Sequence, residues 1–203
     1  MERDVLVRAR SLGRAYGTGP VKVNALRDST FTIEAGDLIA LVGPSGSGKS
    51  TLLHLVAGLD RPSDGDIEWP GIGVRDQLRP GPVAMAFQGP SLLPPLTVIE
   101  NVALPVILAG GAEADAVAVA RDLLDAFGVG EVADKLPEEI SGGQSQRVGL
   151  ARAFSGAPRL VLADEPTGQQ DREAGVRLVD AILAIADQDG AAVVIATHDR
   201  AVA

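Results

Sequence analysis

At 203 residues, 46% of them hydrophobic, the chain can bury one good core and a small appended subdomain, so a single domain is expected. Its 27 acidic against 18 basic residues, net −9 with no basic block, exclude sequence-independent binding to nucleic acid or anionic lipid. Without cysteine there are no disulfides, thiolate metal sites or thiol catalysis, and no stretch approaches the ~20 apolar residues of a membrane span. The reading is a soluble, cytosolic protein whose membrane role, if it has one, comes through a partner.

In chain order, "VLVRAR" and "STFTI" alternate apolar and polar residues as half-buried strands do, and Gly36 and Asp37 supply a turn before the next run. Leu38 to Val42 is continuously apolar, predicting a strand covered on both faces, and it runs directly into "GPSGSGKST". A helix follows Lys49 and ends at Gly58. A short strand is predicted at Asp66 to Trp69, then a Gly/Pro-rich connection, then a second apolar strand, "VAMAF", ending at Gln88.

From Leu92 to Phe154 the pattern is helical. Thr97 is placed to cap "VIENVALPVILA", "EADAVAVARDLLDAF" stops at Gly128, and Ser141 opens a third helix. The α/β alternation resumes with the strand "RLVLADEP", a helix over residues 174–186 and the closing strand "AAVVIATHD". No repeat or low-complexity segment interrupts it.

Gly43, Gly48, Lys49 and Ser50 satisfy G-x-x-x-x-G-K-S between a strand and a helix. There glycines let main-chain N–H groups wrap a phosphate, Lys49 brings a point charge to the β- and γ-phosphates, and the Ser50 hydroxyl suits Mg²⁺. Asp164 and Glu165 leave the end of an apolar strand in opposite directions, so Asp164 can approach a Mg²⁺ shell while Glu165 faces a water near the γ-phosphate. A second phosphate-loop-like helix start, "ISGGQSQRVGLARAF", combines a capping Ser141 with Gly142 and Gly143 but has no lysine.

The phosphate loop, "SGGQSQR" at 141–147 and "LVLADEP" followed by "THD" resemble, in order and spacing, the ATPase subunits of ABC transporters, over essentially the whole chain. The resemblance implies an α/β fold: a P-loop NTPase core at residues 1–89 and 157–203, with an N-terminal antiparallel β-subdomain and a helical subdomain inserted at about 90–156. It implies ATP held by Gly43, Pro44, Ser45, Gly46, Ser47, Gly48, Lys49, Ser50 and Thr51, with Tyr16 stacked on adenine. Mg²⁺ would sit by Ser50, Gln88 and Asp164, and catalysis would fall to Glu165, His198, Lys49 and Gln88. Ser141, Gly142, Gly143 and Gln144, with Asp171, would complete a site in a second copy of the chain, which explains the missing lysine: the opposite phosphate loop already has one.

Two stretches depart from the family's pattern. The turn at Gly168 to Asp171 reads "GQQD", with Gln170 where an apolar residue is usual, so communication across the dimer at that turn is an open expectation; the chain also ends five residues past His198, so a closing helix is expected to be short or missing. "LLPPLTVIENVALPVILAG" resembles the branch of macrolide and peptide exporters, lipoprotein-releasing ATPases and the cell-division ATPase. The expected function is an ATP-hydrolysing homodimer driving an integral membrane permease from the cytoplasmic face, without nucleic acid. Its rivals are a non-transport ATPase of the cell-division type and an idle module that closes on ATP without hydrolysing it; a DNA-repair ATPase would need a long coiled-coil insertion that has no room here.

Overall fold

The computed structural model describes residues 3–89, 91–168 and 170–199. Its first sheet is antiparallel, with β1 (Val5–Tyr16) between β2 (Val23–Glu34) and β4 (Asp64–Glu68). The alternating stretches legible in the sequence are only parts of β1 and β2. Both strands run on through register shifts, near which Ser11 and Asp28 take positive φ (46° and 42°) and the period of two is lost.

The second sheet is wholly parallel: β3 (Leu38–Val42), β7 (Ala192–Thr197), β6 (Leu160–Asp164) and β5 (Val83–Ala86) lie side by side in that order. β6 and β7 each feed two cores. Leu160 and Leu162, with Ala192, Val194 and Ala196, pack beside Leu6, Leu53 and Trp69, joining the sheet to α1 (Lys49–Val56) and to the antiparallel sheet. The alternate residues, Val161, Ala163, Val193 and Ile195, face the opposite cluster, which holds Val148, Phe154 and Ile182. Strands covered on both faces carry unbroken apolar runs for this reason. Leu162 is fully buried, and its truncation to alanine is expected to cost about 2–5 kcal/mol.

β3 corrects the expectation of burial on both faces. It is the edge of the sheet, and Leu38 and Val42 are 54% and 40% exposed. An apolar run reports a strand's composition, whereas its place in the sheet is settled by which other strands pair with it.

The helical stretch contains α2 (Val98–Leu108), α3 (Glu113–Ala126) and α4 (Gly142–Phe154). α2 begins where Thr97 and Glu100 exchange bonds: Glu100 N donates to Thr97 Oγ1 at 3.4 Å and Thr97 N to Glu100 Oε2 at 2.7 Å. α3 buries Ala116, Ala120 and Leu124, a stripe at i, i+4, i+8. The last helix, α5 (Arg172–Asp189), starts two residues earlier than its apolar pattern, because Asp171 Oδ1 accepts from Ala174 N at 2.8 Å and caps it there.

Candidate active site

The parallel sheet ends all four strands on one side, and each end delivers part of the site. β3 leads into the phosphate loop, β5 into Gln88, β6 into Glu165 and β7 into His198. One cavity of about 690 Å³ is lined there by Pro44, Ser45, Gly46, Gly48, Lys49, Ser50, Thr51, Gln88, Glu165, His198 and the unforeseen Ala25.

α1 begins without a side-chain cap, on Gly48 in the left-handed region at φ 92°. Any larger residue would drive its Cβ into the Ala25 carbonyl, so glycine is required twice over, by conformation and by space. Helix-start amides thus remain for an anion instead of being capped by a side chain. Gly43 and Ser47 serve the loop's shape: Gly43 N donates to Thr197 O at 3.3 Å, and Ser47 N to Pro44 O at 3.2 Å.

Lys49 is 8% exposed and its Nζ donates to the carbonyls of Gly43 (2.9 Å) and Pro44 (3.2 Å). Its charge is met by Glu165 Oε1 at 3.4 Å, and Glu165 is itself 7% exposed. The other carboxylate oxygen lies 2.7 Å from His198 Nδ1 and accepts from His198 N at 3.4 Å. A nearly buried carboxylate is therefore held between a cation on one side and an imidazole on the other. That arrangement can aim an oxygen at a water and take its proton.

Glu165 also stands at φ 50°, a conformation costing a non-glycine residue about 1–3 kcal/mol. Its main chain is fastened on both sides: N donates to Ala196 O at 2.9 Å, while O accepts from Gly168 N at 3.1 Å and Gln146 Nε2 at 2.7 Å. Beside it, Asp164 is 6% exposed and its Oδ1 is buried with no hydrogen-bond partner. Asp164 is not among the residues lining the cavity, but its orphaned carboxylate oxygen, with the Ser50 hydroxyl and Gln88 amide that do line it, is chemically a donor set that suits a hard cation carrying its own waters.

The remaining predicted site residues lie off this cavity. Ser141, Gly142, Gly143 and Gln144 start α4, where Ser141 Oγ accepts from Gln144 N at 3.2 Å and Ser141 N donates to Gln144 Oε1 at 2.9 Å. Asp171 caps α5 and, of the turn before it, Gln169 falls outside the described residues, as does the chain from residue 200 on which the short-terminus expectation rests. Tyr16 is 40% exposed with Arg14 over its ring, 4.5 Å from the centroid, and its hydroxyl donates to Asp60 Oδ2 at 2.8 Å. Burial would raise the Asp60 carboxyl, but bonds from the Tyr16 hydroxyl, the Arg61 amide and the Arg14 guanidinium outweigh it and hold the group below its ordinary value.

Several participants had no sequence signal. The fully buried Asn101 accepts from Leu93 N at 2.8 Å and donates to Leu93, Leu96 and Thr97 carbonyls at 3.0–3.1 Å. With Arg152, whose guanidinium donates to Ser91 O at 2.7 Å, it ties the loop after Gln88 to the helices. Burial pushes the Arg152 guanidinium below its ordinary value. Gln146, bonded to Glu165 O, is another; Gln170, visible in the sequence only as a departure at its turn, bonds Gly143 O.

Comparison with known proteins agrees with this geometry. The ABC transporter family profile matches residues 26–168. The chain is 39% identical to the lipoprotein-releasing system ATP-binding protein LolD of Idiomarina loihiensis over 204 residues, 97% of this chain and 89% of LolD. It is equally 39% identical to the ABC transporter ATP-binding protein YbbA of Escherichia coli over 206 residues, 98% and 90% of the two chains. Among solved structures, the ATP-binding cassette MJ0796, dimeric in a post-hydrolysis state with ADP and Pi, superposes with a TM-score of 0.89 at 33% identity, covering 98% of this chain and 90% of that one. With its phosphate loop, acidic strand end and histidine gathered on one cavity, the chain belongs to the ABC transporter family, as one of its ATP-binding, ATP-hydrolysing subunits.

Proposed function

We propose that the chain is a single ABC ATPase domain, core at 1–89 and 157–203 and helical subdomain at about 90–156, that closes as a homodimer on two ATP molecules. Closure drives a separate integral membrane permease of the exporter or lipoprotein-extruding kind, with the ATPase held at the cytoplasmic face by that partner. The observation that carries the reading is the convergence of Lys49, Ser50, Gln88, Glu165 and His198 on one cavity. The similarity to LolD supports the extruding kind, and the dimeric MJ0796 cassette supports pairing. Among the described residues no helix is long and apolar enough to cross a membrane, so within these residues a spanning step has no candidate.

The phosphate-loop amides and Lys49 bind the phosphates, the lysine exchanging its carbonyl contacts for phosphate oxygens. Glu165 orients a water in line with the γ-phosphate and accepts its proton. His198 Nδ1 keeps that carboxylate aimed, leaving the far edge of its ring to meet the γ-phosphate. Ser50, Gln88 and the orphaned Asp164 Oδ1 would hold Mg²⁺, which supplies charge neutralisation on the phosphates when bound. Ser141 to Gln144 and Asp171 serve the nucleotide of the partner subunit, and the partly exposed Tyr16 stacks on adenine.

Glu165→Gln tests the assignment. The amide keeps the shape and one accepting oxygen but loses the charge and cannot take a proton, so kcat is expected to fall at least ~10²-fold while ATP binding is retained. Near-normal hydrolysis would remove Glu165 from its role. Sized with and without ATP, the same variant should pass from monomer to dimer, and a monomer throughout rejects the paired arrangement.

A further inference from the structure

Two side-chain amides cross, in opposite directions, between the start of α4 and the acidic turn after β6. Gln146 reaches from α4 to Glu165, its Nε2 donating to the main-chain oxygen at 2.7 Å. Gln170 reaches back from the turn, its Nε2 donating to Gly143 O at 3.0 Å. The turn is closed on itself by Gly168 N to Glu165 O (3.1 Å) and Gln170 N to Thr167 O (3.0 Å), so the contacts form a ring running from Gly143 through α4, Gln146, Glu165 and Gln170 back to Gly143.

Two details show that the ring acts on Glu165. The carbonyl that Gln146 grips belongs to a residue at φ 50°, so this contact is one of three that hold a strained backbone whose carboxylate meets Lys49 and His198. And Gln146 Oε1 is buried without a partner, so its side chain is kept in place at the expense of one satisfied oxygen. Gln170 in turn supplies a donor that the apolar residue usual at this position could not.

We propose that Gln146 and Gln170 are positioning residues that couple the two ATP sites of the dimer, transmitting movement of Gly143 to the backbone of Glu165. The proposal rests on the dimer reading above, in which Gly143 faces the nucleotide of the partner subunit and Glu165 this subunit's own. Capture of ATP on one side then sets the water-aiming carboxylate on the other.

The test compares Gln146→Leu, Gln170→Leu and Gln170→Glu with the parent chain in steady-state hydrolysis across ATP concentration, beside binding of a fluorescent ATP analogue to the monomer. The leucines match glutamine in bulk and remove the amide. The glutamate keeps length and polarity but cannot donate, and at a half-buried turn position outside the cores it spares the fold. Gln146→Leu should lower kcat about tenfold with analogue affinity within about twofold, the size of one lost hydrogen bond at the reacting geometry. Both Gln170 variants should bring the Hill coefficient down toward one with a smaller, roughly threefold, loss of kcat.

Unchanged kcat and Hill coefficient in all three overturn the coupling, as does a Gln170→Glu chain that behaves like the parent or a parent coefficient already at one. The two readings separate in the Glu165→Gln background. If that variant fails to dimerise with ATP, the dimer reading falls and the coupling with it. If it dimerises while the Gln variants stay parental, only the coupling falls.

Discussion

The chain begins two helices on glycine-containing loops, and the structure finishes them differently. At α1 the capping position is Gly48, left-handed and without a side chain to offer, so the first amides are left to whatever anion enters the cavity, with Lys49 beside them. At α4 Ser141 and Gln144 cap each other, so the helix is stable before any ligand arrives, and no lysine accompanies it. The first start needs its phosphate to be complete; the second is complete and can be presented to a phosphate held elsewhere. On the dimer proposed above, the same backbone device would serve as a receptor in one place and as a lid in the other.

The contrast breaks most visibly at Lys49. Lys49→Ala deletes the cationic charge at the phosphate loop and leaves the nearly buried Glu165 carboxylate with His198 alone, so ATP affinity of the monomer should weaken at least ~10²-fold, measured by titration with a fluorescent analogue. An affinity within a few-fold of the parent would mean the loop amides suffice and would erase the difference between the two starts.

Ser141→Ala sharpens the comparison from the other side. It removes one bond of the cap, with an expected loss of about 1 kcal/mol in thermal or urea unfolding, while ATP binding by the monomer stays as in the parent chain. Weakened monomer binding would place α4 in its own chain's site instead.

The smallest effect concerns the rim near Tyr16. Because the folded Asp60 carboxyl is held below its ordinary value, it stabilises the fold at pH above the ordinary aspartate range, and that contribution is lost as pH falls through the lowered value. The stability advantage of the parent over Asp60→Asn should therefore narrow on acidification. A difference independent of pH would show that the Tyr16 and Arg14 contacts do not depend on the charge.

Much of the site was legible because its signals are local. The phosphate loop, the acidic strand end and "THD" each sit where a strand stops, and parallel pairing brings such stops to one side of a sheet. Capping residues were legible for the same reason, since Thr97 and Ser141 bond within three positions of themselves. What escaped depends on distance through space. Gln146 and Gln170 meet carbonyls 19 and 27 residues away, and although Gln170 stands out in its turn, nothing in their neighbours announces either partner. The Tyr16 hydroxyl meets Asp60, 44 residues away, and the exposure of β3 follows from which strand lies next to it. The helix α5 is longer than its apolar periodicity predicts, because that periodicity starts after the cap at Asp171.

Because β6 and β7 turn alternate side chains to opposite clusters, neither cluster has a wall of its own. Melting one would strip a face from the same two strands on which the other is built, so the helices cannot come apart from the nucleotide-binding half without unzipping it. The chain is expected to denature in a single calorimetric step, and hydrogen exchange at Leu162 and Val194 should report the global opening of the molecule, not a local one.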